Sequence, residues 1–209
     1  MTPEDGARQI LGRDLTEAES RLVHKYLVLL TKWQKTHRLV GSTEYEWMII
    51  HLIWDSWLFL KVMPPAVVRA DPGGSVGPQV LDFGSGAGIP GVPLAIVLPT
   101  VRFTLLESRQ RRASFLYEVI RQLELRNCSV FQGRAEEAAE LYGRYDAVVV
   151  RCAGDSTQVA VDALRFGKTD APVIISGPPA RTETEVGSWI EIETGADPSM
   201  RRRFLVVTR

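Results

Sequence analysis

Apolar positions recur at helical spacing through the first part of the chain and then give way to short β-branched runs. Thr16 followed by Glu19 fits a reciprocal N-terminal cap, and Leu22, Val23, Tyr26, Leu27, Leu30 and Trp33 then share one face, which predicts an amphipathic helix. A second stretch, EYEWMIIHLIWDSWLFLKVM, is apolar most of the way round, so it predicts a helix buried on two sides that stops at Pro64 and Pro65. Pro and Gly crowd the segment from Pro64 to Pro78, where the helical part ends. From Gln79 the strands read as QVLDF, RFTLLE, CSVFQG, DAVVV and APVIIS, with WIEIE and RFLVVTR closing the sheet. RRASFLYEVIRQLEL, with Phe115, Leu116, Val119, Ile120 and Leu123 on one face, supplies a helix between the second and third strands. The expectation is an α/β fold, a mostly parallel sheet with helices on both faces. Its expected divisions are a helical region over 1–70, a linker over 71–78 and an α/β domain over 79–209. In such folds ligands sit beyond the carboxyl ends of the strands, so the loops after the strands are where chemistry belongs.

Composition narrows the class without naming a ligand. A chain of 209 residues, 45% apolar and 24% charged, is an ordinary globular one, which excludes disordered and fibrous proteins. Basic and acidic residues balance at 25 each, so nucleic acid can be held only by local patches. Only five of the 25 basic residues are lysines, and although arginine suits bidentate phosphate contacts, a genomic base bias produces the same skew. MTPEDGARQI has no apolar stretch after a charged start, and no apolar run reaches the roughly eighteen residues of a membrane span. Cys128 and Cys152 support neither a disulfide framework nor a zinc site. A cytoplasmic protein, without membrane or metal, is expected.

The loop after the first strand, LDFGSGAGIPG, carries the strongest signal. Gly84, Gly86, Gly88 and Gly91 follow Asp82, and glycine suits a sharp turn that a ligand must approach closely. A nicotinamide dinucleotide site would place its third glycine where Ile89 stands, and Pro90 and Pro93 delay the helix that would meet the pyrophosphate. An acidic residue in the strand, then glycines at every second position, instead suits S-adenosylmethionine, which has no phosphate. Glu107, ending the second strand, is placed to accept bonds from ribose hydroxyls. Ala135 and Glu136, after the third strand, lie where an adenine would be gripped, although Glu136 also suits the first turn of a helix.

VLDFGSGAGIPGVPLAI, FTLLESRQRRASFL, GRAEE, YDAVVVRCA and LLTKWQKTHRLV occur in the order and spacing of the RsmG (GidB) family, which the chain resembles over roughly residues 15 to 209. That family contains methyltransferases acting on guanine N7 of small-subunit (16S) ribosomal RNA. The resemblance implies a Rossmann-like class I S-adenosylmethionine methyltransferase sheet with an N-terminal helical extension, S-adenosylmethionine as cofactor, and ribosomal RNA or the small subunit as partner; the size of the chain and its closed sheet suit a monomer. By motif position, Gly84, Ile89, Ala135, Glu136 and Arg151 would contact the cofactor, beside Gly86, Gly88 and Glu107.

Guanine N7 carries a lone pair and no proton, so its methylation needs positioning and no general base. The Asp/Asn-Pro-Pro-aromatic loop of amino-group methylation is missing, since RCAGD follows the fourth strand. Cys152 would suit carbon methylation only with an activating partner, and none is evident. The departures from the family lie on the RNA side. Arg38 stands where the family has asparagine, Ile50 replaces the arginine before His51, Asp55 comes one residue late, and ISGPPA, with Ser176, has no lysine. Arg38, His51 and Arg112 are the expected substrate-binding residues, with Arg111, Arg151 and Arg201 to Arg203 as further basic positions at the mouth; the last three would equally guard a sheet edge. Trp33, Trp47, Trp54 and Trp57 are taken as packing. Methyl transfer is the expected activity; a diverged member with another substrate, or a non-catalytic ribosome-associated module, stays open.

Overall fold

The computed structural model describes residues 1–70, 77–151, 156–177, 187–193 and 202–209. Helix α1 (Pro3–Gly6) runs into a π-helical turn over Ala7–Leu11, a segment the apolar pattern does not reveal because it is too short to show periodicity. Its signal is a cap, since Thr2 and Asp5 exchange the same pair of bonds as Thr16 and Glu19. Helix α2 (Glu17–His37) begins as expected: Thr16 Oγ1 accepts from the Glu19 amide at 3.2 Å, and the Glu19 carboxylate accepts from the Thr16 amide at 2.8 Å. It ends at Arg38, which is left-handed at φ 49°, and the Gln34 carboxamide there takes over the backbone bonding of Leu39 and Val40.

The second helix, expected in one piece, changes type along its path. It comprises α3 (Tyr45–Met48), a π-helical turn over Ile49–Trp54, α4 (Asp55–Trp57) and a 3₁₀ turn over Leu58–Lys61, and α5 (Pro65–Val68) follows Pro64. The π turn closes with the Asp55 amide donating to the Ile50 carbonyl, five residues back rather than four.

The seven expected strands form one sheet in the order β3-β2-β1-β4-β5-β7-β6. β1 (Gln79–Phe83), β2 (Arg102–Glu107), β3 (Cys128–Gln132), β4 (Ala147–Arg151) and β5 (Val173–Ser176) are parallel, while β7 (Arg202–Val207) runs antiparallel between β5 and β6 (Ser188–Ile192). Alternation sends Ala147 and Val149 of β4 to one face and Val148 and Val150 to the other, each with its own apolar core. Helix α8 (Ser156–Leu164) covers the second face through Ala160 and Ala163.

The other face carries α6 (Gly91–Val97), α7 (Gln110–Leu123) and the N-terminal helices in one continuous core. Two buried donors tie the helical region to the glycine loop and to α6: Tyr26 Oη donates to the Ala87 carbonyl at 2.7 Å, and Trp57 Nε1 to the Pro93 carbonyl at 3.1 Å. Most of the expected linker, residues 71–76, lies outside the described residues, as do Cys152, Pro178 and Pro179. Among the described residues no helix is long and apolar enough to cross a membrane, and no cluster of His, Cys, Asp and Glu is arranged for a metal.

Candidate functional site

The sheet order reverses beside β1, where the strand is flanked by β2 and β4, and the loops leaving the carboxyl ends of β1, β2 and β3 gather there. The glycine loop is folded back onto β2: the amides of Gly84 and Ser85 both donate to the Leu106 carbonyl, at 2.9 and 3.0 Å. The Glu107 carboxylate closes the arrangement, accepting from the Gly86 amide at 2.9 Å and from the Arg109 amide at 2.7 Å. The carboxylate of Glu107 is thus buried as a clasp of the loop.

The four glycines divide by what lies beside them. Gly88 and Gly91 face packed atoms; a Cβ at Gly88 would come within 2.7 Å of Val92 Cγ2, and one at Gly91 within 2.6 Å of Asp82 Oδ2. Beyond their chain neighbours, Gly84, at φ 76°, has no atom within 4 Å of a Cβ and faces open space, and Gly86, at φ 57°, has the Arg112 guanidinium at 3.6 Å and the Gly84 carbonyl at 3.8 Å. Two are needed for packing and two border a void.

Two lobes share Gly84 as a lining residue. The first, about 280 Å³, lies between Gly84, Leu106 and Ser108 on one side and Gly133 to Glu136 with Asp162 on the other. The second, about 310 Å³, lies between the loop from Gly84 to Ile89 and the helical region, whose Leu39, Val40, Gly41, Trp47 and Leu52 line it, with Arg112 and Arg151 at its border. The structure therefore brings Ala135 and Glu136 to the first lobe, and Gly86, Ile89, Arg112 and Arg151 to the second. Gly88 turns to the core, Arg38 is exposed beside Leu39 without lining either lobe, and His51 stands behind Trp47, ring centroids 4.9 Å apart.

Residue-type reasoning leaves Asp55 without a role. It is 8% exposed and receives Arg202 Nε at 2.8 Å on Oδ1, with Arg151 Nη2 at 3.6 Å and His51 Nδ1 at 4.0 Å from Oδ2. Burial raises its carboxyl above the usual range although both arginines pull it down, and burial lowers the His51 imidazole. The π turn over Ile49–Trp54 leads into Asp55, whose carboxylate faces Arg151. Among the basic positions expected at the mouth, Arg202 is thus in a structural ion pair and Arg203 pairs with Glu191 at 3.2 Å across the strands, while Arg201 is outside the described residues.

Beneath the loop, Asp82 is fully buried; Oδ2 accepts from the Gly91 amide at 3.0 Å, and Oδ1 has no partner among the described residues. Burial, reinforced by Glu107, pushes its carboxyl from 3.8 to about 7. A folded-state value above the unfolded one means the native state holds the proton more tightly, so stability is full below pH 4 and is lost as pH rises to about 7. The expected loss from this group is on the order of 4 kcal/mol. Asp82→Asn should flatten that part of the stability profile, as urea melts between pH 4 and 8 will test; an unchanged slope would assign the effect elsewhere.

The family model described as GidB: rRNA small subunit methyltransferase G matches residues 19–188. The chain is 39% identical over 149 residues to the ribosomal RNA small subunit methyltransferase G of Nitrosomonas europaea, covering 70% of this chain and 63% of that protein. With the protein of the same name from Lachnoclostridium phytofermentans it shares 35% over 161 residues, 76% of this chain and 63% of the relative. The matched region is therefore a little under two-thirds of those relatives' own length. A crystal structure of a mutant of MtNAS superposes with a TM-score of 0.55 at 16% identity, over 98% of this chain and 81% of that one, a likeness of fold alone. With the Rossmann-like sheet order and the glycine loop already in place, the match over residues 19–188 shows that this chain belongs to the GidB, rRNA small subunit methyltransferase G, family.

Proposed function

We propose that the chain is an S-adenosylmethionine-dependent methyltransferase acting in the cytoplasm on guanine N7 of small-subunit ribosomal RNA. The observation that carries it is the composition of the second lobe. It is lined by apolar side chains, the glycine loop and two arginines, with no carboxylate, imidazole or thiol among its described lining residues. Such a surface positions a nucleophile that has no proton to lose, which is the case for guanine N7.

The two lobes suit the cofactor. The Cβ-free face of Gly84 opens onto both, so a ligand passing from one lobe to the other can lie against the loop backbone. The first lobe, between Gly133–Glu136 and Leu106, would hold the adenosine end, with Glu136 and the Ala135 backbone at the purine; Glu107, buried between the two strands' loops and outside the lining of the lobe, would act by holding the Gly86 and Arg109 amides in place. Gly86, Ile89 and Arg151 would border the methionine end. When bound, the cofactor supplies an electrophilic methyl group. Arg112 would supply positive charge toward a phosphate backbone, with Arg151, held by Asp55, at the same border, and Leu39, Val40 and Leu52 would form the apolar wall of the reacting lobe. Transfer leaves the guanine ring with one positive charge and requires no proton acceptor. The helical region over 1–70 and the sheet domain over 79–209 would act together, since each supplies one wall of the second lobe.

Mass spectrometry of ribosomal RNA from cells with and without the gene tests the substrate; an unchanged 7-methylguanine content on deletion rejects it. Calorimetry tests the cofactor, and absence of binding at millimolar S-adenosylmethionine would leave only a non-catalytic module.

A further inference from the structure

Tryptophan at helical spacing reads as packing, and three of the four in the helical region behave so. Trp54 and Trp57 are at most 2% exposed and their indole N–H groups donate to backbone carbonyls, while Trp33 packs on Phe115 with ring centroids 5.7 Å apart. Trp47 differs in what it borders: half-buried like Trp33 and leaning on His51 at 4.9 Å and 43°, it lines the second lobe together with the glycine loop and Arg112, which Trp33 does not. We propose that Trp47 is the stacking platform that holds the target purine by its face. The inference rests on the methyltransferase reading above and adds to it the residue that orients the base.

The chemistry favours a face contact. A hydrogen-bond donor aimed at N7 would occupy the lone pair that must attack, so the ring has to be held by its face or by other edges. An indole does this without touching N7, and the arginines bordering the lobe remain for O6 or phosphate. His51 packs on Trp47, a contact that would favour one orientation of the indole before a base arrives. The methylated ring, being cationic, should stack on the indole more tightly than guanine itself.

The test uses the full chain. Guanosine monophosphate and 7-methylguanosine monophosphate are titrated against tryptophan fluorescence in wild type, Trp47→Phe and Trp47→Leu, alongside calorimetry with S-adenosylmethionine and methylation of small-subunit ribosomal RNA. Wild type should quench with both nucleotides, more tightly with the methylated one. Trp47→Leu should lose the quench and the preference and raise KM for RNA roughly ten- to a hundredfold, with cofactor affinity unchanged; Trp47→Phe should keep most of the affinity. Quenching or KM unaltered in Trp47→Leu overturns the platform, as does a loss of cofactor binding equal to the loss in RNA, which marks a general collapse of the lobe. Failure of wild type to bind S-adenosylmethionine would instead overturn the underlying function, whatever the nucleotides do.

Discussion

Gly84→Ala should abolish measurable S-adenosylmethionine binding, a loss of at least about a hundredfold, while Gly91→Ala should leave the affinity within a few-fold and cost stability instead. The methyl group at position 84, a residue that lines both lobes, would meet no atom within 4 Å beyond its own chain neighbours. Its left-handed backbone would cost about 1–2 kcal/mol for a residue with a side chain, which the fold can bear. At position 91 the methyl group meets Leu105 Cδ2 and Asp82 Oδ2 in the packed seam between α6 and the sheet, and overpacking of that kind costs about 1–3 kcal/mol. Calorimetric titration and thermal melting of both variants separate the two effects. Wild-type affinity in Gly84→Ala would show that the cofactor does not approach the loop there.

The second large effect is expected at Asp55. Asp55→Ala should lower stability by about 3 kcal/mol, because it removes the carboxylate shared by Arg202 and Arg151 and leaves buried positive charge less compensated. For a chain of this length that is a drop in Tm of roughly 6–12 °C. Asp55→Asn keeps an acceptor for Arg202 Nε but not the charge, and should fall between wild type and alanine. Since Arg151 borders the second lobe, cofactor or RNA affinity should fall with the alanine variant beyond what partial unfolding explains. A Tm within about 2 °C of wild type would remove Asp55 as the tie between the helical region and the ends of β4 and β7.

Much of the fold is legible along the chain because its signals are local. The Thr16–Glu19 cap, the apolar face of α2 and the β-branched runs of β1 to β5 each describe burial within a few residues, and the structure places those elements within a residue or two of expectation. The glycine loop can be found in the sequence, but not sorted. All four glycines look alike in LDFGSGAGIPG, and only the packing of Val92, Leu116 and Leu105 distinguishes the two that fit a helix against its neighbours from the two that border a void.

Trp47 and Asp55 escape a reading of the sequence for a related reason. The helical spacing that buries Trp54 and Trp57 includes Trp47, yet the π turn over Ile49–Trp54 shifts the phase between them and leaves Trp47 at the lobe. A change of helix type within an apolar run has no periodicity of its own to announce it.

By itself, then, the sequence determined where the long helices and the strands lie, the sheet class, the glycine loop and the family, since each is set by residues near one another or by motif order, whereas the changes of helix type were not legible in it. The tertiary structure decided which side chains share a site. Asp55 meets Arg202 across 147 positions and Tyr26 meets the Ala87 carbonyl across 61. Such pairs form only when separate elements pack on one sheet, and the energy that selects them, burial of charge and of hydrogen-bonding groups in a common core, depends on surroundings that no local pattern contains.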